Sequence, residues 1–174
     1  MHVSYIYYVL PVWGGFAKST LHRLTILQKK GIRHVCNARY NSHTEPLFKD
    51  CNTLKIEDLF KLNCTKLMYK SIKGVVHNYH ASRLVTKSDN TNIVTRQAHN
   101  VVILRHRHSK QYKINSLNYK IGTAWNELPL NIKTKTAFTL NTFTTAVKMM
   151  LLDRYNTNNI CKDKHCYSCN HVHK

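Results

Sequence analysis

Residues 19 to 35 constrain the fold most tightly. Leu21, Leu24, Gln28, Ile32 and Val35 recur at helical spacing on or near one face, while Arg23, Lys29, Lys30 and Arg33 fill much of the rest. Such a helix buries one stripe and leaves the other wet, so it needs packed neighbours on one side only, as in a helical bundle. Ser19 or Thr20 is the expected N-cap. Upstream, an apolar Tyr-rich run over residues 3–13 leads into Val12-Trp13-Gly14-Gly15. Its period does not separate a buried strand from the end of a buried helix. The chain starts inside that run, as a piece cut from a longer protein would.

Further along, Asn41 to Pro46 reads as a loop, followed by a second helix over Leu54–Ile72 capped by Thr53. Its expected inner face is Ile56, Leu59, Phe60, Asn63 and Leu67. Residues 74–92 are polar, rich in His and Asn, and read as an excursion. Residues 93–119 turn strand-like, with one short strand at Val101–Leu104 and a second at Lys113–Tyr119. A brief helix over Ile121–Leu128 is stopped by Pro129. A last helix runs from Leu140 or Asn141 to about Tyr155, with Phe143, Val147, Met150 and Leu151 inward. Trp13 and Trp125 sit among apolar neighbours beside turns and are expected core anchors. The expected fold is mainly α with a small β element, divided into residues 1–72, 73–155 and a Cys/His-rich tail, 156–174.

The charge balance narrows the partner. The 174-residue chain carries 27 Lys and Arg against 8 Asp and Glu, a formal +19. Such an excess repels itself in a compact fold unless a polyanion or counterions neutralise it. Nucleic acid is the usual solution, because each neutralised phosphate releases condensed counterions; an anionic membrane surface is the competing one. The cations are spread along the chain, unlike the short run of a localisation signal. A Lys/Arg-rich outer face is often only a solvated one. Here no acid lies between residues 1 and 44 to offer those cations a helical salt bridge, which favours phosphate contacts. Arg105-His106-Arg107-His108, with Lys110 and Lys113, forms a second basic patch with Tyr112 interleaved. An aromatic among cations suits stacking on unpaired bases, and a core-facing Tyr112 is the alternative.

No apolar run approaches the ~20 residues of a membrane span. Tyr5–Leu10 is too short for a signal peptide, lacks a basic leader and is broken by Pro11. The expected location is intracellular, nuclear or cytoplasmic, with no membrane partner. There the six cysteines are expected as thiols or metal ligands rather than disulfides. The tail spacing Cys161-x4-Cys166-x2-Cys169-x-His171 supplies four soft or borderline ligands for a tetrahedral zinc, with a metal-free thiol tail as the alternative. Asn63-Cys64-Thr65 has the form of a glycosylation sequon, which needs a secretory route.

In order, the motifs resemble the carboxy-terminal part of reverse transcriptases of non-LTR (LINE-type, jockey-like) retrotransposons. Tyr5, Tyr8, Val12-Trp13-Gly14 and Leu27-Gln28-Lys29-Lys30-Gly31-Ile32-Arg33 carry the first part of the likeness. His43-Thr44, Pro46-Leu47-Phe48, Leu54-Lys55-Ile56-Glu57-Asp58-Leu59 and Thr95-Arg96 continue it. Gly122, Trp125-Asn126, Leu128-Pro129 and Ile132-Lys133, then Phe143, Val147 and Lys148, complete it. The likeness covers residues 5 to 155 and implies a thumb-like helical bundle with short antiparallel strands after it.

A polymerase also needs closely spaced carboxylates to hold two metal ions. This chain has no Tyr/Phe-x-Asp-Asp, and Glu57-Asp58, its only adjacent acids, diverge by ~100° at the start of a helix where acids suit the dipole. The resemblance therefore implies a non-catalytic fragment whose parent is an RNA-directed DNA polymerase, gripping RNA, DNA or an RNA–DNA hybrid alongside missing fingers and palm. Its candidate contacts are Arg23, Lys29, Lys30, Arg33, Arg96, Arg105, Arg107, Lys110 and Tyr112. The alternatives are a stand-alone basic zinc-binding interaction protein and the remnant of a dead element.

Overall fold

Helix α1 is longer than its apolar stripe required. It spans Lys18–Val35, so Ser19 and Thr20, the expected caps, lie inside it. The structure is a computed structural model and describes residues 10–11, 13–14, 18–75, 116–133 and 139–155. The remaining helices are α2 (Thr44–Asp50), α3 (Ile56–Ile72), α4 (Leu117–Asn126), the single turn α5 (Leu130–Lys133) and α6 (Leu140–Asp153).

Among the described residues there is no strand, and the expected small β element is corrected where it can be seen. Leu117 and Tyr119, read as alternating, belong to α4, whose first turn is closed by Ser116 accepting from the Tyr119 N–H at 3.4 Å. The strand expected at Val101–Leu104 lies outside the described residues. The segment expected as a loop at Asn41–Pro46 is partly helical, because α2 starts at Thr44. Pro46 sits in its first turn, where the missing N–H has no intrahelical partner to lose.

Helix α3 is the centre of the bundle. Ile56, Leu59, Phe60, Leu62, Cys64, Thr65, Met68 and Tyr69 are all buried and spread round the whole helix rather than along one stripe. It packs against α1, α4 and α6, with α2 wedged between α1 and α6. The expected inner-face residues Asn63 and Leu67 are only half-buried. Thr65 is satisfied internally, its hydroxyl donating to the Leu62 carbonyl at 2.8 Å. The sequon residue Asn63 lies mid-helix with its amide nitrogen buried, no place for an oligosaccharide.

An aromatic spine joins the helices. Tyr69 of α3 stacks on Phe143 of α6 at 4.4 Å between ring centroids, and Trp125 of α4 lies 6.1 Å from the same Phe143. Trp125 is 2 % exposed, the core anchor its setting implied, while Trp13 packs half-buried against the same core. Fully burying one such ring contributes roughly 1.5–3 kcal/mol. Gly14 makes room for this packing. A Cβ there would lie 2.5 Å from Phe60 Cδ2 and 2.6 Å from the Leu10 carbonyl oxygen. The glycine of the Trp-Gly motif is thus a close-approach residue beneath α3.

The start of α3 is tied to two distant elements. Thr53 does not cap it; its hydroxyl turns back to the Cys51 carbonyl at 3.0 Å. The N-cap is Lys55, and the exposed backbone donors of the first turn find other partners. Gln28 Oε1 accepts from the Ile56 N–H at 3.0 Å, and the Tyr155 hydroxyl accepts from the Lys55 N–H at 2.9 Å.

Candidate nucleic-acid interface

With about 100° between successive residues, Arg23, Leu27, Lys30 and His34 fall on one line along α1, and all four are exposed. Lys29 and Arg33, four residues apart, lie on the shoulder beside that line and are half-buried. The candidate cations of α1 therefore divide into an outer pair, Arg23 and Lys30, and a shoulder pair. Leu27, at 62 % exposed, stands between the outer cations as apolar surface.

The opposite face fixes the helix. Gln28 donates from Nε2 to the Leu54 carbonyl at 2.9 Å while its Oε1 takes the Ile56 N–H. One amide thus bridges both strands of the turn entering α3. Arg33 Nε donates to the Ser42 carbonyl at 2.9 Å, which orients its guanidinium and uses one of its five donors. Within Leu-Gln-Lys-Lys, Leu27 and Lys30 point out, Gln28 points in and Lys29 takes the edge. Val35, placed on the apolar stripe by its spacing, is the last residue of α1 and is 75 % exposed.

Two groups escaped the sequence reading. Beyond α1 the turn carries Arg39 and Tyr40, both exposed, Tyr40 at 77 %. An exposed aromatic beside a cation is a surface on which an unpaired base can stack. On α3, Lys66, Lys70 and Lys73 follow i, i+4, i+7 spacing. Burial lowers the Lys66 ammonium's pKa from its usual range and the charge of Lys70 lowers it further. The Lys73 ammonium lies 5.8 Å over the Tyr69 ring. The i, i+4, i+7 spacing was the available signal.

Three of the described carboxylates, Glu45, Asp58 and Glu127, have structural partners. Asp58 Oδ2 accepts from the Tyr155 hydroxyl at 2.7 Å, so the adjacent pair Glu57-Asp58 brings one bound and one exposed acid. Glu45 is paired with Lys55 Nζ at 2.6 Å and Glu127 with Lys61 Nζ at 3.3 Å. Arg96, Arg105, Arg107, Lys110 and Tyr112 lie outside the described residues, as do the zinc candidates Cys161, Cys166, Cys169 and His171. Among the described residues no three His, Cys, Asp or Glu side chains gather to hold a metal, and no helix is long and apolar enough to cross a membrane. No protein-family model, curated protein or solved structure matches the chain.

Proposed function

We propose that this chain is a non-catalytic nucleic-acid-binding module, the thumb and post-thumb portion of a non-LTR retrotransposon reverse transcriptase, gripping RNA or an RNA–DNA template-primer. The observation that carries the reading is the outer face of α1, where Arg23 and Lys30 stand exposed on a helix held from behind by Gln28. Cations on a fixed helix meet phosphates with little further ordering, and they position a duplex without reading its bases. The formal +19 supplies the wider attraction. Arg33 and Lys29 on the shoulder widen this surface, and the reading assigns further contacts to Arg96, Arg105, Arg107, Lys110 and Tyr112, outside the described residues.

Anisotropy of the full chain with a labelled RNA–DNA hybrid, titrated in KCl, tests it. Log affinity should fall linearly with log salt, nearly independent of sequence, and each of Arg23→Gln and Lys30→Gln should reduce the slope by about 1. Salt-independent binding, no binding near about 100 mM salt, or an unchanged slope in both variants would overturn the reading.

A further inference from the structure

Helices α1 and α2 end in the same way. Cys36 and Cys51 each follow the last helical turn and still donate their N–H to the carbonyl four residues back, Ile32 and Leu47, both at 3.0 Å. Each is followed by an asparagine in the left-handed region, Asn37 at φ 48° and Asn52 at φ 49°. Each end is closed by a backbone pair: Ala38 N–H to Arg33 and Asn37 N–H to His34, then Thr53 N–H to Phe48 and Asn52 N–H to Lys49. This is the Schellman closure, and it fixes the residue just before the asparagine. The two fixed positions face each other, with Cys36 Sγ 2.8 Å from Cys51 Sγ. Both are half-buried, and a small reagent has access to them. Two sulfurs alone do not fill a zinc tetrahedron, and no third ligand joins them among the described residues.

We propose that Cys36 and Cys51 are a redox-active pair that forms a reversible intramolecular disulfide by exchange with a small-molecule disulfide such as oxidised glutathione. A disulfide places its sulfurs about 2.0 Å apart, and the two thiols are already in contact at 2.8 Å across the two helix ends. In the exchange, one of the two thiols loses its proton, attacks one sulfur of the reagent and expels the first thiolate. The other thiol then gives up its proton, attacks the sulfur of that mixed disulfide on its neighbour and expels the second. Two protein thiols and one reagent disulfide become one protein disulfide and two reagent thiols. Either sulfur can be the donor in the contact between them, so either thiol can open the exchange. The bond closes a loop across 15 positions that holds Arg39, Tyr40 and the Ser42 carbonyl bound by Arg33. Cys64 is an internal control, fully buried with its thiol pushed up to about 12 by burial.

The test equilibrates the folded full chain in glutathione buffers of rising oxidised fraction, blocks free thiols at low pH and digests without reductant. Trypsin separates the two cysteines into His34–Arg39 and Asp50–Lys55. Mass spectrometry should find these peptides joined, two hydrogens lighter than their sum and parted by dithiothreitol, with Cys64 unmodified. The joined form should melt several degrees higher than the reduced one, and Cys51→Ser should carry glutathione on Cys36 instead. The proposal is overturned if both peptides carry separate glutathione adducts, if either cysteine pairs elsewhere, or if the link appears only after unfolding. The wild-type peptide map decides these outcomes even if Cys51→Ser does not fold.

Discussion

Tyr155→Phe isolates the tie between the end of α6 and the start of α3. The phenol donates to Asp58 Oδ2 at 2.7 Å and accepts from the Lys55 N–H at 2.9 Å, across 97 and 100 residues of sequence. Its ring packs edge-on to Phe48 at 6.4 Å, with Lys55 Nζ 4.9 Å from the ring centroid. Phenylalanine keeps the ring and deletes only the hydroxyl. A hydrogen bond to a charged group is worth about 1.5–3 kcal/mol and a neutral one about 0.5–1.5. Asp58 and Lys55 are only half-buried, so water recovers part of that sum. The expected loss is about 2 kcal/mol, read as a lower urea midpoint at unchanged slope. Asp58→Asn, made singly and in combination, completes a double-mutant cycle whose coupling should exceed about 0.5 kcal/mol. A loss below that figure, or no coupling to Asp58, would refute the assignment of this contact as a brace.

Gly14→Ala should cost more than about 2 kcal/mol, because its Cβ would press on Phe60 and on the backbone of Leu10; a neutral melt would show that the Trp-Gly segment packs elsewhere. Gln28→Leu leaves the Leu54 carbonyl and the Ile56 N–H without partners and should lower stability by about 1–3 kcal/mol in urea unfolding, whereas an unchanged midpoint would mean the amide bridge is idle. Cys64 is protonated in the fold up to about 12 against 9.0 when unfolded, so its contribution is intact below pH 9 and is lost as pH rises above it. Wild type should therefore lose up to about 1.4 kcal/mol per pH unit more than Cys64→Ala between pH 9 and pH 11. Comparing the two cancels the opposite gain of Lys66 and Lys133, whose ammoniums are desolvated and profit from alkali; parallel curves would refute the burial effect. Metal analysis of the purified chain should give about one zinc per chain, lost in Cys166→Ser, if the tail holds zinc as its ligand set implies; none bound at neutral pH would remove that role.

Elements with one buried face were legible in the sequence. Helix α6 appears where its spacing required, with Phe143, Val147 and Leu151 inward, but Met150 is only half-buried and Leu152 is buried as well, and α1 differs mainly at its ends. Helix α3 was located, yet its buried set was drawn as a stripe; its buried residues are spread round the helix between half-buried Lys61, Lys66 and Lys70, which blurs the contrast that periodicity needs. The start of α4 was read as a strand because Leu117 and Tyr119 alternate with polar neighbours, although Ser116 stood in the capping position. Asn37 and Asn52 close the ends of α1 and α2 in the left-handed conformation that asparagine tolerates.

The sequence by itself determined the excess of positive charge, the absence of acids before Glu45 and the existence of a basic helix, all properties of composition and short-range spacing. Only the tertiary structure decided how the motif Leu27-Gln28-Lys29-Lys30 is divided. Gln28 is drawn inward because the turn entering α3 offers it one carbonyl and one N–H, and that choice turns Lys30 outward. The same holds for Asp58 with Tyr155 and for Cys36 with Cys51. Each of these partners is fixed by helices packing across many residues of chain, and no local pattern of residues encodes a contact made at that range.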